Sequence, residues 1–192
     1  MAAMRILIFG DTHIPERAKE IPEEFKKYLE GSDIVVITGD LTSERILRFA
    51  ERLAEKVIAV RGNMDHLPLP HSAKFRVEGY LIGVVHGHQV YPRGNREQLE
   101  DIAVEMDVDV LISGHTHLPD IYFGKKILLN PGSMTGVWGG GAFSTKPSFI
   151  ILEVEGEKIG GTLYRLDKEV VGEKFLVKEI NRLADKKVAD DD

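Results

Sequence analysis

Five short runs rich in Val and Ile each stop at a glycine flanked by Asp, Asn or His, and this restricts what the chain can fold into. The runs are Arg5–Phe9, Asp33–Thr38, Lys56–Val60, Leu81–Val85 and Val108–Ser113. They are nearly continuous in apolar residues, the pattern of strands covered on both faces. Helical stretches near Pro22–Leu29, Thr42–Ala54 and Asn95–Met106 alternate with them, which predicts an α/β fold. Thr42 or Ser43 is the expected N-cap of the second helix.

Beyond residue 118 the pattern changes to short strands near Asp120–Phe123, Lys126–Leu129, Ser148–Val154 and Lys158–Arg165. Glu155-Gly156-Glu157 reads as the hairpin turn between the last two. With 192 residues and 43% hydrophobic content, one compact domain over residues 1–183 is expected, followed by an acidic flexible tail at 184–192. The net charge of −6 argues against a nucleic-acid surface, although a small nucleotide remains an admissible substrate. With no cysteine, disulfides, thiolate metal sites and a cysteine nucleophile are excluded. No apolar run approaches a membrane span and the N-terminus lacks a signal-peptide layout, so no membrane partner and a cytoplasmic location are expected.

The strand ends carry the chemistry. They read Gly10-Asp11-Thr12-His13, Gly39-Asp40, Gly62-Asn63, His86-Gly87-His88 and Gly114-His115-Thr116-His117. The C-terminal edge of strands is where α/β folds bind ligands. Asp11/His13 and His115/His117 are spaced i, i+2, so an extended backbone would aim both members of each pair the same way. Asp11, His13, Asp40, Asn63, His86, His115 and His117 make seven candidate metal ligands, too many for one tetrahedral ion. Carboxylate, imidazole and amide donors without thiolate suit two divalent ions, Mn, Ni, Fe or Zn, with Mn placed first. Such a pair clamps a phosphoryl group and activates water.

These motifs, in this order, resemble the calcineurin-like metallophosphoesterase family. Longer stretches, such as DVLISGHTHLPDIYFGKKILLNPGSMTGVW and KPSFIILEVEG, are similar to its branch of small phosphoesterases that includes the small retromer subunit. The similarity runs from about Met4 to Asn181. It implies a four-layer α-β-β-α sandwich with two mixed sheets. It also implies one metal held by Asp11, His13, Asp40 and His117, and a second by Asp40, Asn63, His86 and His115. Asp40 would then be the bridge, and a hydroxide shared by the two ions would attack a phosphodiester or a small phosphomonoester. Asp40 is therefore counted among the catalytic residues. Where many family members carry a histidine after Gly-Asn, this chain has Met64, which cannot donate a proton. His88 is the nearest substitute and is the second catalytic candidate. The GDxxDRG clamp of protein phosphatases is absent, which favours a phosphodiesterase. The rival expectation is a weak or inactive scaffold resembling the retromer subunit, and self-association is left open.

Taken singly, an Asp or Asn after a strand is usually a turn or cap residue, and a lone His a hydrogen-bonded structural one. Joint occurrence at five strand ends outweighs that. His66 and His71 are expected in a surface loop. Asp65 is expected to brace its loop, and Asn130-Pro131-Gly132-Ser133 to supply turn chemistry beside the site. Arg61, Arg93 and Arg96 are read as surface charge, and Trp138 and Phe143 as a substrate or partner surface or a packed loop.

Overall fold

The computed structural model describes residues 3–141 and 145–177. Phe143 and the expected tail at 184–192, with the boundary at 183, lie outside the described residues. Eleven strands are described. They are β1 (Met4–Phe9), β2 (Ile34–Ile37), β3 (Lys56–Ala59), β4 (Ser72–Val77), β5 (Tyr80–Val85), β6 (Val110–Ile112), β7 (Pro119–Phe123), β8 (Ile127–Pro131), β9 (Ser148–Glu155), β10 (Lys158–Leu166) and β11 (Val170–Val177). The helices are α1 (Lys26–Leu29, entered through a 3₁₀ turn), α2 (Glu44–Glu51) and α3 (Arg96–Glu105).

The strands form two mixed sheets, ordered β11-β10-β9-β1-β2-β3 and β4-β5-β6-β8-β7. Each contains three parallel neighbours, β1-β2-β3 in one and β5-β6-β8 in the other. The inner faces meet in one apolar layer: Ile6, Ile8, Val36, Ile150 and Leu152 from the first sheet lie against Ile82, Val84, Val110, Ile112 and Leu129 from the second. The alternate residues Leu7, Phe9, Val35 and Ile37 face outward and pack with Phe25, Leu29, Ile46 and Ala50 of the helices. On the other side, Val85, Leu111 and Leu128 pack with Leu99 and Ala103 of α3. Both faces of the inner strands are thus covered, and the layers run α-β-β-α as expected. Burial of each such aliphatic side chain is worth roughly 1.5–3 kcal/mol.

Several local expectations are corrected. The five motif-bearing strands divide between the sheets, three to one and two to the other. β3 is an edge strand with an exposed lysine rather than a strand covered on both faces. β4 and β11 were not expected. Ser43 occupies the N-cap of α2 without a side-chain hydrogen bond, and Thr42 sits at φ +64 with its hydroxyl donated to Ile14 O. Asn95 does cap α3, its Oδ1 accepting from Gln98 N at 3.0 Å. The β9–β10 hairpin turns at Gly156-Glu157, where Gly156 supplies φ +57.

Candidate metal centre

The two parallel triplets point their C-terminal ends at a common point, and both sheets contribute donors. Asp11, Asp40 and Asn63 follow β1, β2 and β3, whereas His86 and the His115/His117 pair follow β5 and β6. His13 completes the first group. Backbone bonds lace these loops together: Asp11 N donates to Gly39 O at 2.9 Å, His13 N to Asp40 O at 3.0 Å, and Gly114 N to His86 O at 3.0 Å.

The backbone at the site is not extended. Asp11, His13, Asp40, His115 and His117 have φ of 49, 46, 51, 69 and 60°, in the left-handed region. Asp and His visit that region more readily than bulkier residues, yet such conformations still cost of order 1–3 kcal/mol each and cluster at functional sites. Asp11, His13 and His117 turn into the centre through these tight turns rather than along extended backbone. Gly39, at φ +104, could not carry a Cβ, which would lie 2.7 Å from Gly62 N and 2.8 Å from His86 Nδ1.

The side chains converge as two overlapping groups, Asp11/His13/His117 and Asp11/Asp40/His86, with every donor buried. Asp40 Oδ2 lies 3.4 Å from His86 Nε2 and 3.5 Å from His13 Nε2, and Asp11 Oδ1 lies 3.4 Å from His117 Nε2. His13 and His117 face each other through Nε2 at 3.2 Å. Asn63 Oδ1 is 3.1 Å from His86 Nε2. His115 stands at the rim, half-buried, its ring 5.1 Å from that of His86 and its N–H donated to Asp11 Oδ2 at 3.0 Å. His88 is exposed, 5.6 Å from His86 by ring centroid. Met64 contributes its backbone N–H to Asp40 Oδ1 at 2.9 Å.

Two histidines have their tautomers set by carbonyls. His117 Nδ1 donates to Val137 O at 2.7 Å, and His86 Nδ1 to Thr38 O at 2.8 Å. In the neutral rings both Nε2 atoms therefore carry lone pairs, aimed at carboxylate or amide oxygens that are themselves acceptors. Buried Asp11 Oδ1 and His13 Nδ1 have no hydrogen-bond partner. Where these rings are neutral, acceptors face acceptors in a buried cluster, and the donor set fits a divalent metal.

The protonation pattern expresses the same demand. Burial drives the Asp11 carboxyl up to about 7, against the lowering effect of His86. Burial also opposes ionisation of Asp40, but the hydrogen bond and charge of His86 outweigh it and bring Asp40 to about 2. For His86, burial is likewise overcome, by Asp40 and by the charge of Asp11, and the ring is held up at about 9. Burial lowers His13 and His115 to about 4, and lowers His88 and His117. Among the described residues, no Lys or Arg pairs with Asp11 or Asp40. Protons stand in for the positive charge the site needs.

Asp65 braces its loop as expected, and does more. Its buried carboxylate accepts from Asp40 N and Gly62 N through Oδ2 and from Thr42 N through Oδ1, each at 2.8 Å. It thus fixes the Asp40 loop against the Asn63 loop. Asp65→Asn is expected to retain the fold but weaken divalent-metal affinity by about 10–100-fold, read by calorimetric titration. Unaltered affinity would show that Asp65 positions nothing.

Asn130 and Ser133 also hold the site from behind. Asn130 Nδ2 donates to Gly114 O at 2.9 Å, and Ser133 Oγ donates to Asp11 O at 2.7 Å. One support escaped the sequence reading. The glycine-rich loop is pinned over His117 by three side chains: His117 Nδ1 to Val137 O, Arg17 to Trp138 O, and Arg93 to Gly139 O. Arg93 is therefore not free surface charge. Gly139 packs so closely on the His117 ring that a Cβ would lie 2.6 Å from Cγ, which is the signal the glycine cluster carried.

Comparison with known proteins agrees with this geometry. A family model described as the calcineurin-like phosphoesterase superfamily domain matches residues 4–157. A "Probable metallophosphoesterase" of Methanothermobacter thermautotrophicus is 42% identical over 166 residues, covering 84% of this chain and 92% of that protein. One from Methanocaldococcus jannaschii is 47% identical over 133 residues, covering 69% of each. Among solved structures, a Vps29 single mutant from Entamoeba histolytica has a TM-score of 0.86 at 34% identity, covering 91% of this chain and all of that one (100%). Wild-type Vps29 of the same organism, complexed with Zn²⁺, has a TM-score of 0.84 at 34% identity over 90% of this chain and 99% of that one. The chain belongs to the calcineurin-like phosphoesterase superfamily.

Proposed function

We propose that the protein is a two-metal phosphoesterase acting on a phosphodiester or a small phosphomonoester, with Mn²⁺ as the favoured ion. The observation that carries the reading is the buried convergence of carboxylate and imidazole donors, with Asp11 Oδ1 and His13 Nδ1 unpartnered. Asp11, His13, Asp40 and His117 would hold one ion, and Asp40, Asn63, His86 and His115 the other. The Zn²⁺ complex of the Entamoeba Vps29 supports divalent metal in this fold. When bound, such ions polarise phosphoryl oxygens and acidify water enough for it to attack at neutral pH.

The chain's own residues orient the reaction. Asp40 stands between His13 and His86, one ring from each group, while Asp11 is the carboxylate that the two groups share. Thr38 O and Val137 O fix the two imidazoles that face inward. His88 at the mouth is neutral at pH 7, its pKa lowered by burial and by His86, so it can orient a phosphoryl oxygen through an N–H. With Met64 in place of a histidine, a second proton donor is missing. The Met64→His variant is expected to raise turnover of esters with poor leaving groups by about 10–100-fold, leaving activated aryl esters nearly unchanged. Equal effects on both classes would remove the proton-donor explanation.

The test of the reading is metal content together with Mn²⁺-dependent hydrolysis of bis(p-nitrophenyl) phosphate and p-nitrophenyl phosphate on one sample. Two ions with turnover support it. A docking role is the second reading, favoured by the likeness to Vps29 and by exposed Tyr91, Leu118 and Trp138. Two ions without turnover of either ester would put it first.

A further inference from the structure

Beside the candidate metal centre lies a cavity of about 450 Å³, within the size range of small-molecule sites. Its floor is apolar, formed by Leu99 of α3 with Leu128 of β8, and Leu118 and Pro119 form a wall. It is continuous with the site's own scaffolding. Thr116, between His115 and His117, lines it, as does Asn130, which holds Gly114 O. Arg93 stands at its edge and donates to Gly139 O, the residue packed on the His117 ring.

The Asn130, Thr116 and Arg96 side chains that line the cavity are already engaged within the protein. Asn130 Nδ2 serves Gly114 O and Thr116 Oγ1, and Asn130 Oδ1 accepts from Gly132 N. Thr116 Oγ1 donates to Leu118 O and accepts from Leu118 N. The Arg96 guanidinium is paired with Asp120 and lies over the Tyr122 ring. Such a lining recognises its occupant by apolar contact rather than by hydrogen bonds.

We propose that this cavity is the subsite for the organic arm of the phosphate ester, and that it selects an uncharged planar ring about the size of a nucleobase or naphthyl group. A methyl or small alkyl arm would leave most of the volume unfilled, whereas a flat ring buries apolar surface against Leu99, Leu128 and Pro119. The assignment rests on the phosphoesterase reading, because it takes the anionic end of the ligand to be anchored at the neighbouring centre.

The test uses phosphonates, whose carbon–phosphorus bond is not hydrolysed, so binding is read without turnover. The Mn²⁺-loaded protein is titrated calorimetrically with 2-naphthylphosphonate and with methylphosphonate. The naphthyl compound is expected to bind at least about tenfold tighter, as burial of a ring's apolar area requires. Two variants remote from or exposed beside the candidate ligands, Leu99→Phe to fill the floor and Leu118→Ala to remove the wall, are each expected to shrink that ratio severalfold. The ratio cancels general damage to the centre, since both compounds carry the same anion. Equal affinities in the wild type, or a ratio unmoved in both variants, overturn the subsite while leaving the anion-binding centre standing. Binding of neither phosphonate overturns the centre's phosphate role and the subsite with it.

Discussion

Replacement of Asp40 by alanine is expected to reduce Mn²⁺-dependent hydrolysis by at least about three orders of magnitude and to lower bound metal below two ions per chain. Among the described residues, only Asp40 stands within 3.5 Å of imidazoles from both sides of the cluster, His13 and His86. Its other oxygen accepts Met64 N, and its backbone is fixed by Asp65. Alanine at this position removes the carboxylate proposed to bridge the ions and leaves both neighbouring rings without their acceptor. Losses of that size are expected when a carboxylate serves both ions of a two-metal site. Asp40→Asn separates charge from shape: it keeps an oxygen for the Met64 N–H but cannot offer a negative bridge, so metal content should fall nearly as far. Circular dichroism matching the parent would show the fold intact, since the Asp40 side chain belongs to none of the apolar clusters. Turnover within a few-fold of the parent in Asp40→Ala would sink the two-metal mechanism.

Legibility in the sequence followed how local each signal was. Most of the parallel strands announced themselves because each is a run of apolar residues buried on both faces, as in Ile34–Ile37. Their C-terminal Asp, Asn and His residues were equally plain, because a turn at a glycine is written within three or four residues. β4 was missed although its sequence SAKFRV alternates exposed and buried positions, because only Phe75 and Val77 mark the inward face. β11 was missed because its described side chains are mostly exposed and it closes the sheet as an edge. The division of the motif strands between two sheets lies in long-range pairing, such as β1 with β9, which no local pattern encodes. The left-handed turns at Asp11, His13, His115 and His117 were hidden for a related reason. The i, i+2 spacing suggests extended backbone, but the flanking strands hold these residues in tighter turns. The role of Arg93 was illegible because its partner, Gly139, lies 46 residues away.

Metal loading is expected to be strongly pH-dependent, because the residues that must lose protons are those whose pKa values the fold raises. Asp11 stands at about 7 and His86 at about 9 in the protein alone. A metal ligand must be deprotonated, so filling the centre at pH 7 releases between one and two protons, nearly one from His86 and about half from Asp11. The logarithm of metal affinity should climb with a slope of about two below pH 7 and about one between 7 and 9, then level off.

Stability without metal has the opposite trend on the alkaline side. His86, raised from 6.5 to about 9, contributes stability that is complete below pH 6.5 and lost as pH rises through 9. Asp11, raised from 3.8 to about 7, binds its proton more tightly in the folded state, so its contribution is lost between those values as pH rises. His13 and His115, lowered to about 4, act in reverse: their contribution is present above 6.5 and lost as pH falls through 4. Four lowered histidines (His13, His88, His115 and His117) gaining against one losing group below pH 6.5, and losses alone above it, place the metal-free optimum near pH 6.5. Chelated protein should therefore show a melting temperature that peaks near pH 6.5 and declines toward pH 9. Saturating Mn²⁺ should raise it throughout and remove the alkaline decline, since the ion takes over the charge that the His86 proton supplied. Calorimetric titration in buffers of differing ionisation enthalpy counts the protons, and thermal melts with and without chelator read the second effect. Metal affinity that is flat between pH 6 and 9 would mean that His86 and Asp11 do not hold the ions, and the ligand sets would have to be redrawn around the remaining donors.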